Sequence, residues 1–177
     1  VEDLEPGLYV LEETAAPGGY ILDPQRRTVQ IEGGRTTKVT FTNKQAPGLE
    51  ILKTDSETGL PLAGAKFRIS KPDGSTIGEY VTGEDGRIHL TNLAPGVYEI
   101  EEIEAAPGYV LDPQKKSITL ESGKTASITF VNTKNPTLTI LKLDTTTGSP
   151  LAGAVFHIQI KNGKDLGNFT SDENGLV

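Results

Sequence analysis

Hydrophobic and polar residues alternate in short runs along this chain, and turn residues bound each run. In residues 47–134 a first run places Leu49, Ile51 and Lys53 on one face. Phe67 and Ile69 continue the pattern after the turn Glu57-Thr58-Gly59. Asp85-Gly86 predicts a hairpin. Val97 follows the turn Pro95-Gly96, and Tyr98, Ile100 and Glu102 share a face. Ile118 and Leu120 form a further run before Ser122-Gly123, and Ile128, Phe130 and Asn132 alternate to the end. A period of two residues is the signature of a half-buried strand. No segment of useful length has the helical period. Many short strands with regular turn signals predict an all-β chain built of β-sandwiches.

The pattern repeats. Tyr9–Pro24 reads YVLEETAAPGGYILDP and Tyr98–Pro113 reads YEIEEIEAAPGYVLDP, an offset of 89 residues. The same offset relates Phe41-Thr42-Asn43 to Phe130-Val131-Asn132. It also relates ILKTDSETGLPLAGAKFRI (Ile51–Ile69) to ILKLDTTTGSPLAGAVFHI (Ile140–Ile158). Repeats in constant register predict tandem units. Residues 1–46 read as the C-terminal half of a repeat, 47–134 as one complete repeat, and 135–177 as the N-terminal half of another. Val1 is the counterpart of Leu90 and Val177 that of Ile88, so the two halves are complementary and lack between them only the counterpart of His89. Pro and polar residues mark the boundaries, at Gln45-Ala46-Pro47-Gly48 and Thr133-Lys134-Asn135-Pro136.

Composition narrows the partners. Hydrophobic residues make up 35% of the chain, the formal net charge is −7, and no long basic run occurs. Nucleic acid and anionic membrane are therefore not expected partners. Arg26–Arg27 and Lys115–Lys116 read as solvated strand residues. The absence of Cys excludes disulfides and thiolate metal sites. A secreted domain of this kind needs another staple or none. No signal peptide and no apolar run of membrane-spanning length is visible, and the chain reads as a mature segment trimmed at both ends. No cofactor or metal is expected.

Three residues break the inward pattern: Lys53, Glu102 and Asn132, each in phase with the apolar residues before it. Glu99 and Glu101 are out of phase and should face water. The trio recurs in parts, as Glu13 and Asn43 near the start and Lys142 near the end. For any one of them the plain reading is a strand-end side chain reaching solvent, since Lys and Glu are seldom buried unless paired. Recurrence of all three at one offset turns the reading to chemistry. Burial disfavours an ammonium, and a neutral Lys amine is a nucleophile. A carboxylic acid beside it can polarise the Asn carboxamide and relay protons. Holding amine and amide together supplies a high effective molarity. The products are a Lys–Asn isopeptide bond and ammonia, formed once per domain and without turnover.

The segments LKTDSETGLPLAGAKFRI, PGVYEIEEIEAAPGY and ITFVN resemble the B-type (CnaB, SpaA-like) repeats of Gram-positive surface adhesins and pilins. The resemblance covers essentially the whole chain. It implies inverse immunoglobulin-like sandwiches and an isopeptide between a Lys on the first strand and an Asn on the last, promoted by the Glu of a YxxxE motif. By motif these roles fall on Lys53, Asn132 and Glu102. Lys142 carries the first-strand motif of the divided repeat, and Glu13 and Asn43 carry its other two. The implied function is that of a structural stalk on the outside of a Gram-positive cell, with wall anchoring left to a parent protein. With that topology the chain enters and leaves the middle domain at opposite ends, where a strand of about nine residues spans about 30 Å. Short linkers then favour completion of the divided repeat between molecules. Lys142 of one chain would meet Asn43 of the next, giving a ring or an open filament of this chain.

Other readings are weaker. A ligand-binding adhesin module that recognises a host protein finds no marked site here. A hydrolase would need partners converging on His89 or His157, and neither stands beside a nucleophile motif. Calcium binding by Glu84-Asp85-Gly86 or Asp172-Glu173-Asn174-Gly175 lacks the spacing of a calcium loop, and Asp-Gly or Asn-Gly turns explain both.

Overall fold

The structure is a computed structural model that describes residues 1–177. It is all-β, with thirteen strands and no helix. The chain divides into two compact units, Val1–Asn135 and Pro136–Val177.

The first unit opens with β1 (Gly7–Leu11), β2 (Tyr20–Ile21), β3 (Arg27–Ile31) and β4 (Lys44–Gln45). β1 pairs antiparallel with β3, from Gly7↔Ile31 to Leu11↔Arg27, and β2 pairs with β4. Tyr9, Leu11 and Phe41 are half-buried, whereas their counterparts Tyr98, Ile100 and Phe130 are closed off from solvent.

The same unit continues with β5 (Gly48–Asp55), β6 (Lys66–Ser70), β7 (Thr76–Val81), β8 (Arg87–Leu90), β9 (Gly96–Glu104), β10 (Lys116–Leu120) and β11 (Thr125–Asn132). They form a four-stranded sheet, β10-β9-β6-β7, and a three-stranded sheet, β11-β5-β8. Their alternating residues meet in one core of Leu49, Ile51, Phe67, Ile69, Ile88, Tyr98, Ile100, Leu120 and Phe130. Phe67 of one sheet and Phe130 of the other pack with ring centroids 4.9 Å apart. The buried Tyr98 satisfies its hydroxyl by donating to the Ala94 carbonyl at 2.8 Å. Tyr9 makes the same bond to Glu5, at 2.9 Å.

β5 and β11 are parallel neighbours, in register from Gly48↔Thr125 to Asp55↔Asn132. The chain therefore enters at one end of this strand pair and leaves at the other. The hairpin expected at Asp85-Gly86 does not form. The chain does turn there, with the Gly83 N–H donating to the Arg87 carbonyl at 3.0 Å. However, β7 and β8 lie in different sheets, and β8 pairs with β5. An Asp-Gly turn specifies a reversal only. Burial of Ile88 against the core decides which strand the reversed chain joins.

The second unit holds β12 (Val155–Gln159) and β13 (Asp165–Thr170), antiparallel with a bulge at Ile158/Gln159. Ile140 and Val177 exchange backbone hydrogen bonds at 3.0 and 2.9 Å. Leu138 is 68% exposed, whereas its counterpart Leu49 is 1% exposed.

Candidate functional site

The alternation of three strands delivers Lys53, Glu102 and Asn132 to one point. On β5 the inward residues are Leu49, Ile51 and Lys53; on β9 they are Tyr98, Ile100 and Glu102; on β11 they end with Phe130 and Asn132. Lys53 pairs with Phe130 in the parallel register, which makes Asn132 its diagonal neighbour on the adjoining strand. Glu102 reaches them from the opposite sheet. Lys53 is 0% exposed, Glu102 1% and Asn132 2%.

The Lys53 Nζ lies 3.3 Å from Glu102 Oε1. The approach is near enough for electrostatic attraction but not aligned for a hydrogen bond, so both atoms lack a hydrogen-bond partner, as does Asn132 Oδ1. The other carboxylate oxygen is well satisfied. Glu102 Oε2 accepts the Asn132 Nδ2 donor at 2.8 Å and the Asp112 backbone N–H at 2.9 Å. Burial pulls the Lys53 amine below the usual lysine range, and the nearby Glu102 carboxylate only partly opposes this. A buried polar atom without a partner costs about 1–3 kcal/mol, so native proteins keep few of them. Three such atoms at one point leave this cluster under tension. An amine and a carboxamide that both meet one carboxylate can relieve it by condensing.

Backbone contacts fix where Lys53 stands. Its N–H donates to the Gly86 carbonyl at 2.8 Å, and its carbonyl accepts from the Leu62 N–H at 2.9 Å. Gly86 has φ +70°, and a Cβ there would meet the Lys53 carbonyl oxygen at 2.6 Å.

Residues 1–46 carry two thirds of a second cluster. Asn43 Nδ2 lies 2.9 and 2.7 Å from the two Glu13 oxygens and also donates to the Ile21 carbonyl at 3.0 Å. The Asp23 N–H donates to Glu13 Oε2 at 2.7 Å, as its counterpart Asp112 does to Glu102. A pocket of about 290 Å³, lined by Leu11, Glu12, Glu13 and Phe41, opens beside them. Lys142 belongs to the other unit. It keeps the backbone frame of Lys53: its N–H donates to Gly175 at 2.7 Å and its carbonyl accepts from Leu151 at 2.9 Å.

The SpaA family model, a prealbumin-like fold domain, matches residues 1–45, 47–134 and 136–177. The chain belongs to the SpaA family. A collagen adhesin of Staphylococcus aureus is 36% identical over 74 residues, which cover 38% of this chain and 6% of that protein. A trypsin-resistant surface T6 protein of Streptococcus pyogenes serotype M6 is 31% identical over 123 residues, covering 70% of this chain and 22% of that protein. The matched part is thus less than a quarter of the length of either surface protein. Among solved structures, the Bacillus anthracis TIE protein matches 98% of this chain and 34% of its own, at 27% identity and a TM-score of 0.54.

In this SpaA-family chain the motifs locate Lys53, Glu102 and Asn132, but not what holds them. Asp112 acts through its backbone N–H, which no side-chain pattern reveals; its one signal is the Leu-Asp-Pro shared by the two copies. Gly86 announces a turn in the sequence, and its approach to Lys53 emerges only in the fold. The other polar candidates have ordinary partners. His89 lies 3.3 Å from Glu50, and His157 contacts Asn168 at 3.0 Å on an exposed strand face. Asp85 and Asp172 close their turns by accepting the N–H groups of Arg87 and Asn174.

Proposed function

We propose that this chain is a segment of an extracellular stalk of a Gram-positive surface protein, and that its whole repeat seals itself with a Lys53–Asn132 isopeptide bond. One observation carries the reading: a buried amine and a buried carboxamide that both meet one buried carboxylate, with three polar atoms left unpartnered. The surface-protein relatives support the setting.

The two oxygens of Glu102 face the two nitrogens between which a proton has to move. Oε1 faces the attacking Lys53 Nζ, and Oε2 holds the departing Asn132 Nδ2. The neutral amine attacks Asn132 Cγ and forms the new C–N bond. Glu102 takes the proton from Nζ and returns it to Nδ2, the old C–N bond breaks, and ammonia leaves. Glu102 ends as it began, and Lys53 and Asn132 are consumed, so the reaction happens once.

The link closes a loop of roughly 80 residues, which by analogy with disulfides stabilises the domain by about 4–5 kcal/mol. That is comparable with the whole net stability of many domains. The divided repeat follows the same chemistry between molecules. Glu13 and Asn43 are already paired beside an open pocket and lack only the amine, which Lys142 of a second copy supplies.

Intact mass under denaturing conditions tests the internal bond. In a Lys142→Ala background, which leaves the divided repeat unlinked, the chain is expected to be lighter than its sequence mass by one ammonia, and adding Glu102→Ala should restore the full mass. A full sequence mass in the unmutated chain would sink the proposal.

A further inference from the structure

Behind the cluster stands a second polar contact that takes no proton and breaks no bond in the condensation. Asp55, two residues beyond Lys53 on β5, is 3% exposed. Its Oδ1 accepts the N–H groups of Glu57 and Thr58 at 2.8 and 2.9 Å, and its Oδ2 accepts the Tyr109 hydroxyl at 2.7 Å. These donors hold the Asp55 carboxyl well below the usual carboxylate range, and the Tyr109 hydroxyl is pushed up in turn. The bond therefore joins an ionised acceptor to a neutral donor, the stronger kind.

Tyr109 sits in the loop between β9 and β10, and that loop touches the ends of both strands to be linked. The Val110 N–H donates to the Thr133 carbonyl at 2.9 Å, and the Gly108 carbonyl accepts the Asn135 N–H at 2.9 Å. Three residues after Tyr109, the same loop presents the Asp112 N–H that fixes Glu102 Oε2. Without that donor Glu102 has less reason to keep one oxygen toward each nitrogen.

We propose that Tyr109 and Asp55 form a positioning clasp: the clasp sets the loop, the loop sets Glu102, and Glu102 sets the rate at which the isopeptide closes. The inference rests on the proposed Lys53–Asn132 cross-link. The divided repeat has the same pair in separate units. Tyr20 is 43% exposed, and Asp144 accepts the N–H groups of Thr146 and Thr147 at 2.8 Å but no tyrosine. There the clasp forms only when the two halves meet in register.

The test uses the full chain recovered unfolded from inclusion bodies and refolded by dilution, with ammonia loss followed by intact mass. Tyr109→Phe, which removes only the hydroxyl, should reach the same final mass about ten-fold more slowly, the scale set by losing one positioning hydrogen bond. Return of the β-sheet circular dichroism should keep its unmutated rate. Asp55→Ala should slow closure as well, and the double variant should be no slower than Asp55→Ala. Three results overturn the clasp: Tyr109→Phe closing at the unmutated rate, folding slowed in step with closure, or two effects that multiply. An unmutated chain that never loses ammonia removes the reaction, and the clasp with it. Normal closure in both the unmutated chain and Tyr109→Phe removes the clasp alone.

Discussion

Lys53 stands where a lysine is least at home, wholly buried and with its Nζ lacking a hydrogen-bond partner. Desolvation lowers its proton affinity more than the Glu102 carboxylate restores it. The unfolded chain binds that proton more tightly than the unreacted folded domain. The unreacted domain is therefore penalised at low pH, and the penalty fades as pH rises through the depressed value toward the ordinary 10.5. The proposed closure would relieve the same penalty, because the amide nitrogen formed no longer takes up a proton. Attack requires the neutral amine. The rate of ammonia loss after refolding should therefore rise with pH and level off below 10.5, measured by intact mass across a pH series. A rate that keeps climbing and bends only near 10.5 would mark an ordinary, solvated lysine.

The strands aim these side chains, and their backbones do so with little slack. Gly86 adopts φ +70° against the Lys53 carbonyl, with Pro61 and Leu62 also within 3 Å of any added Cβ. Gly86→Ala should displace β5 and cost about 3 kcal/mol, since both the left-handed backbone and the backbone clash oppose it. The denaturant midpoint in an Asn132→Ala background, where no cross-link masks the loss, reads this directly. An unchanged midpoint would mean that β5 tolerates the shift. Alternation makes the inward faces of β5, β9 and β11 legible from the sequence, including the polar residue that ends each run. Partnership is less legible. Asp85-Gly86 resembles a hairpin because a turn is written locally, whereas the choice of sheet is made by Ile88 in the core. The hydrogen bond from Tyr109 to Asp55 joins residues 54 apart, and the Asp112 contact uses a backbone N–H that every residue but proline possesses.

At the scale of the whole molecule, parallel β5 and β11 set how a pulled stalk would respond. Tension that enters at Gly48 and leaves at Asn132 shears this strand pair along its length, loading its hydrogen bonds together. A Lys53–Asn132 bond would route the tension through residues 48–53 and across the link, leaving residues 54–131 unloaded. A stalk of such units is only as strong as the joint between them, and under the proposed reading the divided repeat would supply that joint. Its two faces carry apolar residues that a partner should cover, among them Leu138, 68% exposed, and the half-buried Tyr9, Leu11 and Phe41. If Lys142 of one molecule bonds Asn43 of the next, a denaturing gel should show a heat-resistant ladder or a closed ring. Either Lys142→Ala or Asn43→Ala alone should give monomer. Mixed together, the two variants have one good Lys142 end and one good Asn43 end between them. They should therefore form a covalent dimer and stop, because the joint they make leaves two dead ends. A monomer band from the unmutated chain, or a ladder that survives Lys142→Ala, would show that the ends do not complete each other by this chemistry.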